Sequence, residues 1–296
     1  MDKSSFKTKI IHQKGRDFPQ YYGNDKSQLG IFHLNGTLDS ELHSHQFFLI
    51  LWFKKGNGTH SINFEDFPIC DNQLFFLSPG DIHNFSKQND DVEGIAIAFR
   101  KELLNNIPTK VADRILFNAY NDFGKPSIAK IDANTADSLE MWIKALKSLL
   151  ADQNSLYKDS DYSMAATLSV IFNLLKRHAS WENDFINFNS NGLEIISKFK
   201  NSIKENLKES HSPAFYSINI GVAESKLSAI TKEICGLSPR KLINKEIILE
   251  AKKLLINNSI SIKEISEELG FTDAPHFVKF FKKETGMTPG QFKDLL

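Results

Sequence analysis

The first third of the chain carries short apolar or alternating runs that stop at turn-forming residues. A strand places successive side chains on opposite faces, so these runs predict β-strands. The predicted strands cover residues 29–34, 45–53, 60–64, 73–77 and 94–99. Turn signals separate them at residues 55–58, 65–68 and 78–81. Short strands at this spacing predict a β-barrel or sandwich.

After residue 101 the apolar residues recur at the spacing of an amphipathic helix. This spacing predicts helices over residues 111–119, 136–150 and 164–178. Asn and Asp residues interrupt the pattern between residues 179 and 191, which predicts a linker there. From Leu193 onward the whole pattern is helical.

The C-terminal helical region repeats itself at an offset of 50 residues. Gly236-Leu237-Ser238-Pro239 and Gly286-Met287-Thr288-Pro289 each combine a helix-ending Gly, an N-cap hydroxyl and a Pro at the first helical position. The same offset pairs Leu227 with Phe277, Ile230 with Phe280 and Lys232 with Lys282. The offset predicts an internal structural repeat.

Each copy of the repeat predicts two short helices joined by a glycine turn. The second copy has helices over residues 262–269 and about 274–285, with Gly270 between them; the first has helices over 217–222, with Gly221 in the turn, and 224–234. The predicted apolar sides of the later helices are Leu227 and Ile230 in the first copy and Phe277, Phe280 and Phe281 in the second. A pair whose second helix is basic outside is typical of a DNA-binding helix-turn-helix, although ordinary packed helices share the amphipathic pattern.

Several motifs extend this repeat into a longer pattern. They are Gly236-x-Ser238-Pro239, Ile248-Leu249-Glu250-Ala251-Lys252-x-Leu254-Leu255, Ile262-x-Glu264-Ile265-x-x-x-Leu269-Gly270-Phe271-x-Asp273, and Phe277-x-x-x-Phe281-Lys282-Lys283-x-x-Gly286-x-Thr288-Pro289-x-x-Phe292. Together they closely resemble the DNA-binding domain of AraC/XylS-type transcription regulators. The resemblance implies two helix-turn-helix units joined by one long helix, here residues 240–255, that place two recognition helices in successive major grooves.

By position, the resemblance also implies which residues contact double-stranded DNA. Base edges would be contacted by Ser225, Ser228 and Ala229 in the first unit and by Ala274, His276 and Lys279 in the second. Phosphates would be contacted by Lys226, Lys232, Lys241, Lys282 and Lys283. The sequence departs from the family pattern at Ala223, where a Ser or Thr cap is usual, at Ser217 in the small-residue position, and at Glu246, where Arg is common.

Three histidines lie in the predicted β-region. His43-Ser44-His45, Pro79-Gly80-Asp81-Ile82-His83 and Gly56-x-Gly58 resemble the cupin barrel that many of these regulators carry as a sensor. The resemblance implies a small-molecule effector site in which His43, His45 and His83 hydrogen-bond the ligand, although these histidines could also be purely structural. By strand alternation Phe47 and Leu49 share the histidines' face, so the pocket would be largely apolar. Three imidazoles could also bind zinc or iron. Metal-binding cupins usually add a carboxylate shortly after the second histidine, and residues 46–50 supply none, so no metal is predicted.

The helices over residues 111–178 resemble the family's linker region, which is commonly used for dimerisation, so a homodimer is expected. Four apolar residues form a seam on the second of these helices: Leu139, Ile143, Leu146 and Leu150. The seam is equally consistent with a subunit interface and with packing against the chain's own barrel.

Functions of two classes remain open. The favoured one is a sequence-specific transcription regulator controlled by an effector in the barrel, with RNA polymerase as a partner if it activates. The alternative is a metal-dependent cupin enzyme that acts on a small molecule and carries an appended DNA-binding domain. A barrel that binds no ligand, and only supports dimerisation or contacts RNA polymerase, is a third possibility. The sequence has no nucleophile-and-base pair, phosphate-binding loop or paired carboxylates, so neither enzyme activity nor a cofactor is predicted.

Length and charge refine this organisation. The 296 residues suit an α+β multidomain chain, with a cupin-like β-barrel over residues 1–105, a helical linker or dimerisation region over 106–190 and an all-α double helix-turn-helix domain over 191–296. The 36 basic residues cancel the 36 acidic ones, but residues 191–296 carry 16 Lys and Arg against 13 Asp and Glu, a net +3. The longest apolar run, residues 47–53, is shorter than the roughly 18 residues of a membrane span. With Cys70 and Cys235 expected as free thiols, the sequence predicts a cytoplasmic protein with no membrane partner.

Overall fold

The structure is a computed structural model that describes residues 28–36, 38, 42–86, 92–109, 111–112, 115, 127–151, 160–181, 190–256 and 260–294. The chain forms two compact units, one containing the sheets and helices up to residue 181 and the other containing the helices from residue 190. The predicted division into three functional regions stays a prediction. Most of the helix predicted over residues 111–119, and the linker beyond Trp181, lie outside the described residues.

The strands of the N-terminal unit form two antiparallel sheets. In chain order they are β1 (Leu29–Asn35), β2 (His43–Ser44), β3 (Phe48–Lys55), β4 (Thr59–Ile62), β5 (Glu65–Pro68), β6 (Gln73–Leu77), β7 (Ile82–Ser86), β8 (Glu93–Phe99), β9 (Ser127–Lys130) and β10 (Ser180–Trp181). The larger sheet has the order β1-β8-β3-β6-β9-β10, and the smaller has the order β2-β7-β4-β5. This cupin-like arrangement confirms the predicted fold class.

The larger sheet is covered on both faces. On one face, β3 residues such as Leu51 and Phe53 join a core that includes Ile62 and Phe85 from the smaller sheet. On the other face, alternate residues such as Trp52 share a core with helices α1 (Ala133–Ala151) and α2 (Ser160–His178). The apolar seam Leu139, Ile143, Leu146 and Leu150 is buried in that second core. The seam therefore packs within this unit, one of the two alternatives left open by the sequence.

Two strand predictions were wrong for identifiable reasons. The strand predicted over residues 45–53 starts only at Phe48, because the chain crosses from the smaller sheet to the larger one between β2 and β3. Residues 65–68, predicted as a turn, form β5. Strand β4 ends at Ile62, and the turn lies at Asn63 and Phe64, which were predicted to belong to the strand over residues 60–64. Both of these residues have positive φ, 51° and 68°, as a two-residue hairpin turn requires. A Phe at such a position gives no turn signal in the sequence.

The C-terminal unit consists of helices throughout its described residues. They are α3 (Ser190–Asn206), α4 (Pro213–Asn219), α5 (Glu224–Cys235), α6 (Pro239–Ile256), α7 (Ile262–Glu268), α8 (Ala274–Thr285) and α9 (Pro289–Lys293). The helix predicted over residues 217–222 instead begins at Pro213 and has ended before Gly221, because Pro213 occupies its first turn. The long connecting helix, predicted over 240–255, is α6.

The 50-residue repeat is visible in how α5 and α8, the second helices of the two helix-turn-helix units, begin and end. Gly236 and Gly286 end α5 and α8 in the left-handed conformation, at φ 65° and 86°. At the N-terminus of α8 the Asp273 carboxylate accepts a hydrogen bond from the His276 backbone N–H, whereas Ala223 gives α5 no side-chain cap. Loss of such a cap typically costs about 1 kcal/mol.

Burial corrects one detail of the predicted helix faces. The apolar side of α8 is Phe277 and Phe281, as predicted, but Phe280 is only partly buried. On α5 the buried pair is Leu227 and Thr231, while Ile230 is partly buried. In both helices the buried residues are four positions apart and therefore lie on one face, which packs against the core.

Candidate effector site and nucleic-acid interface

The histidines of the N-terminal unit meet because of strand register. His43 on β2 stands directly opposite His83 on β7. His60 lies on β4, the other neighbour of β7, and its ring is 5.2 Å from that of His83. His45 follows the end of β2, and its ring lies 4.9 Å from both the His43 and His83 rings. These four residues, the histidine cluster, therefore come from three chain segments.

Hydrogen bonds link the cluster into a chain. The Nε2 atoms of His45 and His83 are 2.8 Å apart, and His83 Nδ1 is 3.0 Å from His60 Nε2. Burial, followed by the nearby His43 ring, lowers the pKa of His45 to about 3. Burial and neighbouring imidazoles also lower the pKa of His60 and His83 well below the usual value for histidine. These three rings are therefore neutral at pH 7, and each has one nitrogen that donates and one that accepts.

Aromatic and apolar side chains surround the cluster. The Phe47 ring stacks on His45 at 4.6 Å, and the Phe85 ring stacks on His60 at 4.4 Å. Leu49 is buried in the same inter-sheet core. Apolar walls with a few polar groups are the usual composition of a small-molecule site.

His60 is the functional candidate that the sequence interpretation missed. It is fully buried, and its Nδ1 atom has no hydrogen-bond partner among the described residues. The predicted strand already placed His60 on the same face as Ile62, because alternate residues of a strand share a face. In the structure these two residues are buried and Thr59 and Ser61 are less so. Only the pairing of β4 with β7 places His60 beside His83.

Polar contacts fix the turn that precedes His83. The Asp81 carboxylate accepts from the Ser78 backbone N–H at 2.6 Å and from Asn63 Nδ2 at 2.9 Å. Asn63 in turn accepts from the Ile82 backbone N–H. This network anchors the start of β7, so the His83 ring is held in place from outside the cluster.

Three members of the cluster have the composition of a metal site. Ligand nitrogens of His43, His45 and His83 all lie within 4.8 Å of one another. A tetrahedral ion with metal–nitrogen bonds of about 2.0–2.1 Å needs nitrogens roughly 3.3 Å apart, so the His45 and His83 nitrogens would separate by about half an ångström and His43 would move toward them. The residues present fit a three-imidazole site.

The predicted base-contacting residues lie on α5 and α8, as do four of the five predicted phosphate-contacting lysines; the fifth, Lys241, lies on α6. On α5, Ser225 and Ala229 are exposed and Ser228 is half-buried; on α8, His276 and Lys279 are exposed and Ala274 is half-buried. All five predicted phosphate-contacting lysines are exposed: Lys226, Lys232, Lys241, Lys282 and Lys283. The structure thus leaves each of these groups accessible, and the assignment of contacts stays a prediction.

Two domain families match the chain. The AraC-like ligand binding domain matches residues 34–114, and the helix-turn-helix domain matches residues 216–294. Between them they cover more than half of the chain, and each falls on the unit that carries the corresponding candidate site.

Curated relatives match along most of the chain. It is 23% identical over 254 residues to the HTH-type transcriptional activator RhaS of Pectobacterium carotovorum, covering 83% of this chain and 85% of that protein. It is 25% identical over 256 residues to the HTH-type transcriptional activator RhaR of Escherichia coli K12, covering 86% of each. A crystal structure of unsaturated fatty acid bound ToxT from Vibrio cholerae aligns at 16% identity with a TM-score of 0.44, covering 95% of this chain and 98% of that one. Among the described residues, every helix is too short or too polar to cross a bilayer.

Proposed function

This chain belongs to the AraC/XylS-type family of transcription regulators, and from that premise we propose how its two sites work. The histidine cluster binds a small-molecule effector, and α5 and α8 read two half-sites on DNA. The observation that carries the effector proposal is the set of neutral, hydrogen-bonding imidazoles enclosed by Phe47 and Phe85. An effector controls DNA binding only if it binds one arrangement of the protein more tightly than another.

On the DNA side, we propose that Ser225, Ser228, Ala229, Ala274, His276 and Lys279 contact base edges. Ser225, Ala229, His276 and Lys279 are exposed on the two recognition helices, and Ser228 and Ala274 are half-buried beside them, which supports this assignment. The five exposed lysines Lys226, Lys232, Lys241, Lys282 and Lys283 contact phosphates, where a flexible ammonium group neutralises charge without reading sequence.

Selection of randomised duplex DNA on the purified full-length protein, at about physiological salt, tests the DNA proposal. A bipartite site with half-sites about one helical turn apart is the expected result. The control variant Lys263→Ala should enrich the same site as the wild type, because Lys263 is exposed on α7 but is not a predicted DNA contact. Failure of the wild-type chain to enrich any sequence would overturn the proposed DNA reading.

The effector proposal is tested by screening small molecules for an increase in the unfolding temperature. A ligand of the cluster is expected to stabilise the wild-type chain and the His178→Gln control, in which an exposed histidine of α2 is changed. It should give no increase with His83→Ala. A ligand that stabilises His83→Ala as strongly as the wild type binds somewhere else.

A metal ion is the second candidate ligand, favoured by the convergence of His43, His45 and His83. Bound there, a divalent first-row ion would offer open coordination positions to an effector. Titration with Co²⁺ should give about one equivalent per chain and a visible tetrahedral absorption band, both lost in His45→Ala. Equal Co²⁺ uptake by the wild type and His45→Ala would rule out the metal candidate.

The remaining assignments complete the proposal. We place the protein in the cytoplasm, where its DNA target lies, as a homodimer without enzyme activity, and with RNA polymerase as a partner if it activates transcription. The exposed residues Tyr162 and Val170 on α2 are candidates for the dimer contact. Sedimentation at micromolar concentration should give the mass of two chains, and Tyr162→Lys should shift it toward one.

A further inference from the structure

The loop between α3 and α4, residues 207–212, contacts the turn of the second helix-turn-helix unit; we call it the linking loop. His211 Nε2 donates a hydrogen bond to the carbonyl oxygen of Leu269 at 2.8 Å. The His211 ring also lies 4.9 Å from the ring of Phe271. The loop leads directly into α4, the first helix of the first unit, so these contacts join the second unit to the segment from which the first unit begins.

The backbones meet closely at this junction. Gly270 has φ +75°, and a Cβ there would clash with the carbonyl oxygen of Lys208. Only Gly meets both demands, the left-handed backbone and the close approach. The Lys208 ammonium lies 2.9 Å from the Glu268 carboxylate, but both groups are more than 60% exposed, so this ion pair contributes little.

The linking loop is also hydrogen-bonded to the first unit and to α6. The hydroxyl of Tyr216, on α4, donates to the carbonyl oxygen of Ser210 at 2.5 Å, and the Tyr216 ring is fully buried beside Phe199. Arg240, near the start of α6, donates from Nη1 to the carbonyl oxygen of His211 at 2.8 Å. The loop is therefore attached to α4, to the connecting helix and to the second unit.

Phe271 lies between the linking loop and the second recognition helix, α8. Its ring packs against His211 on the loop side and against His276, Phe277 and Phe280 of α8 on the other. Both units pack on α6, and Asn244 on α6 donates a hydrogen bond to Glu284 on α8 at 3.1 Å. The linking loop is a second attachment between the units, beside this helix.

We propose that the linking loop fixes the separation and angle of α5 and α8, and that His211 is the positioning residue that makes the protein selective for the spacing between its two half-sites. The inference rests on the proposed DNA reading. Specificity is a difference of affinities, and a rigid pair of helices loses contacts when the half-sites are moved, whereas a flexible pair adapts. Each inserted base pair rotates one half-site by about a tenth of a turn relative to the other.

The experiment compares full-length wild type, His211→Ala and His211→Gln on the selected site and on the same site with two base pairs inserted between its halves. Wild type should lose about tenfold or more in affinity on the altered site, and His211→Ala about threefold or less. His211→Gln should restore the wild-type ratio, because its amide can replace the Nε2 donor. Lys208→Ala is the matched control and should keep the wild-type ratio.

Base preference within each half-site should stay unchanged in His211→Ala, which separates positioning from direct reading or misfolding. A wild-type spacing ratio in a folded His211→Ala protein would overturn the inference. A wild type that selects no bipartite site would overturn the proposed DNA reading instead.

A measurement without DNA keeps the two failures distinguishable. Spin labels on Lys232→Cys and Lys282→Cys, in a chain with Cys70→Ser and Cys235→Ser, report the distance between α5 and α8. His211→Ala should broaden the distance distribution, and His211→Gln should narrow it again. An equally narrow distribution in His211→Ala would show that α6 alone holds the units, against the inference.

Discussion

The N-terminal unit turns its candidate site inward, whereas the C-terminal unit turns its candidate site outward. His60 and His83 are buried between two sheets, at 0% and 2% exposure, while His276 and Lys279 lie on an open helix face. Burial ties the inward site to the stability of its unit, because a charged imidazole or an unpaired polar atom is costly there. The Lys279 side chain is exposed, so it can serve DNA recognition without supporting the fold, whereas the His276 ring also packs edge-on against Phe271.

This difference predicts that acid affects the N-terminal unit most. A buried histidine with a lowered pKa stabilises the fold above its unfolded pKa of about 6.5 and loses this contribution as the pH falls below that value. For His45, whose pKa burial lowers to about 3, the expected loss from pH 6.5 to 5 is about 2 kcal/mol, and His60 and His83, whose pKa values burial also lowers, lose stability in the same direction. Urea unfolding followed by tryptophan fluorescence reports this unit, since Trp52, Trp142 and Trp181 all lie in it.

His60→Gln is the control for this acid effect. It removes one titrating ring, so the stability of the variant should depend less steeply on pH by about one histidine's share. An unfolding midpoint that stays constant between pH 7 and 5 in the wild type would contradict the burial of neutral imidazoles in the histidine cluster.

The second prediction concerns the outward site alone. Lys279→Ala should relax discrimination at one base position by about 1–3 kcal/mol and change stability by less than about 0.5 kcal/mol. Competition binding on single-base variants of the selected site measures the first quantity, and urea unfolding measures the second. An unchanged base preference would remove Lys279 from the reading residues.

A third prediction sharpens the contrast between the two recognition helices. Asp273→Ala removes the cap of α8 and should cost about 1 kcal/mol, while Ala223→Asp should stabilise α5 by a similar amount. Hydrogen exchange of the peptides spanning 274–285 and 224–235 should respectively speed up and slow down about fivefold. Exchange that ignores both changes would show that packing, not capping, controls these helices.

The smallest expected effect belongs to the phosphate contacts. Lys282→Ala, or Lys232→Ala at the equivalent position of the repeat, should weaken binding to all sequences alike and reduce the salt slope by about one. Affinity measured at three or more salt concentrations gives this slope. A loss confined to one sequence would mean that the lysine reads a base.

The sequence by itself determined most features that depend on near neighbours. Ser238-Pro239 and Thr288-Pro289 set the N-termini of α6 and α9, and Gly236 and Gly286 terminate α5 and α8 where predicted. These features were predictable because capping involves only residues a few positions apart. Strand β6 matches its predicted bounds for a similar reason, since a short apolar run between turn signals is a local pattern. The repeat spacing and the fold class followed from these local signals.

Tertiary structure alone decided which distant residues meet. The pairing of β7 with both β2 and β4 brings His43, His60 and His83 together, and nothing near His60 in the sequence shows that pairing. In the same way, the contact between His211 and Leu269 joins residues 58 positions apart. Such contacts depend on strand register and on how helices pack, which are set by the whole folded chain rather than by any segment of it.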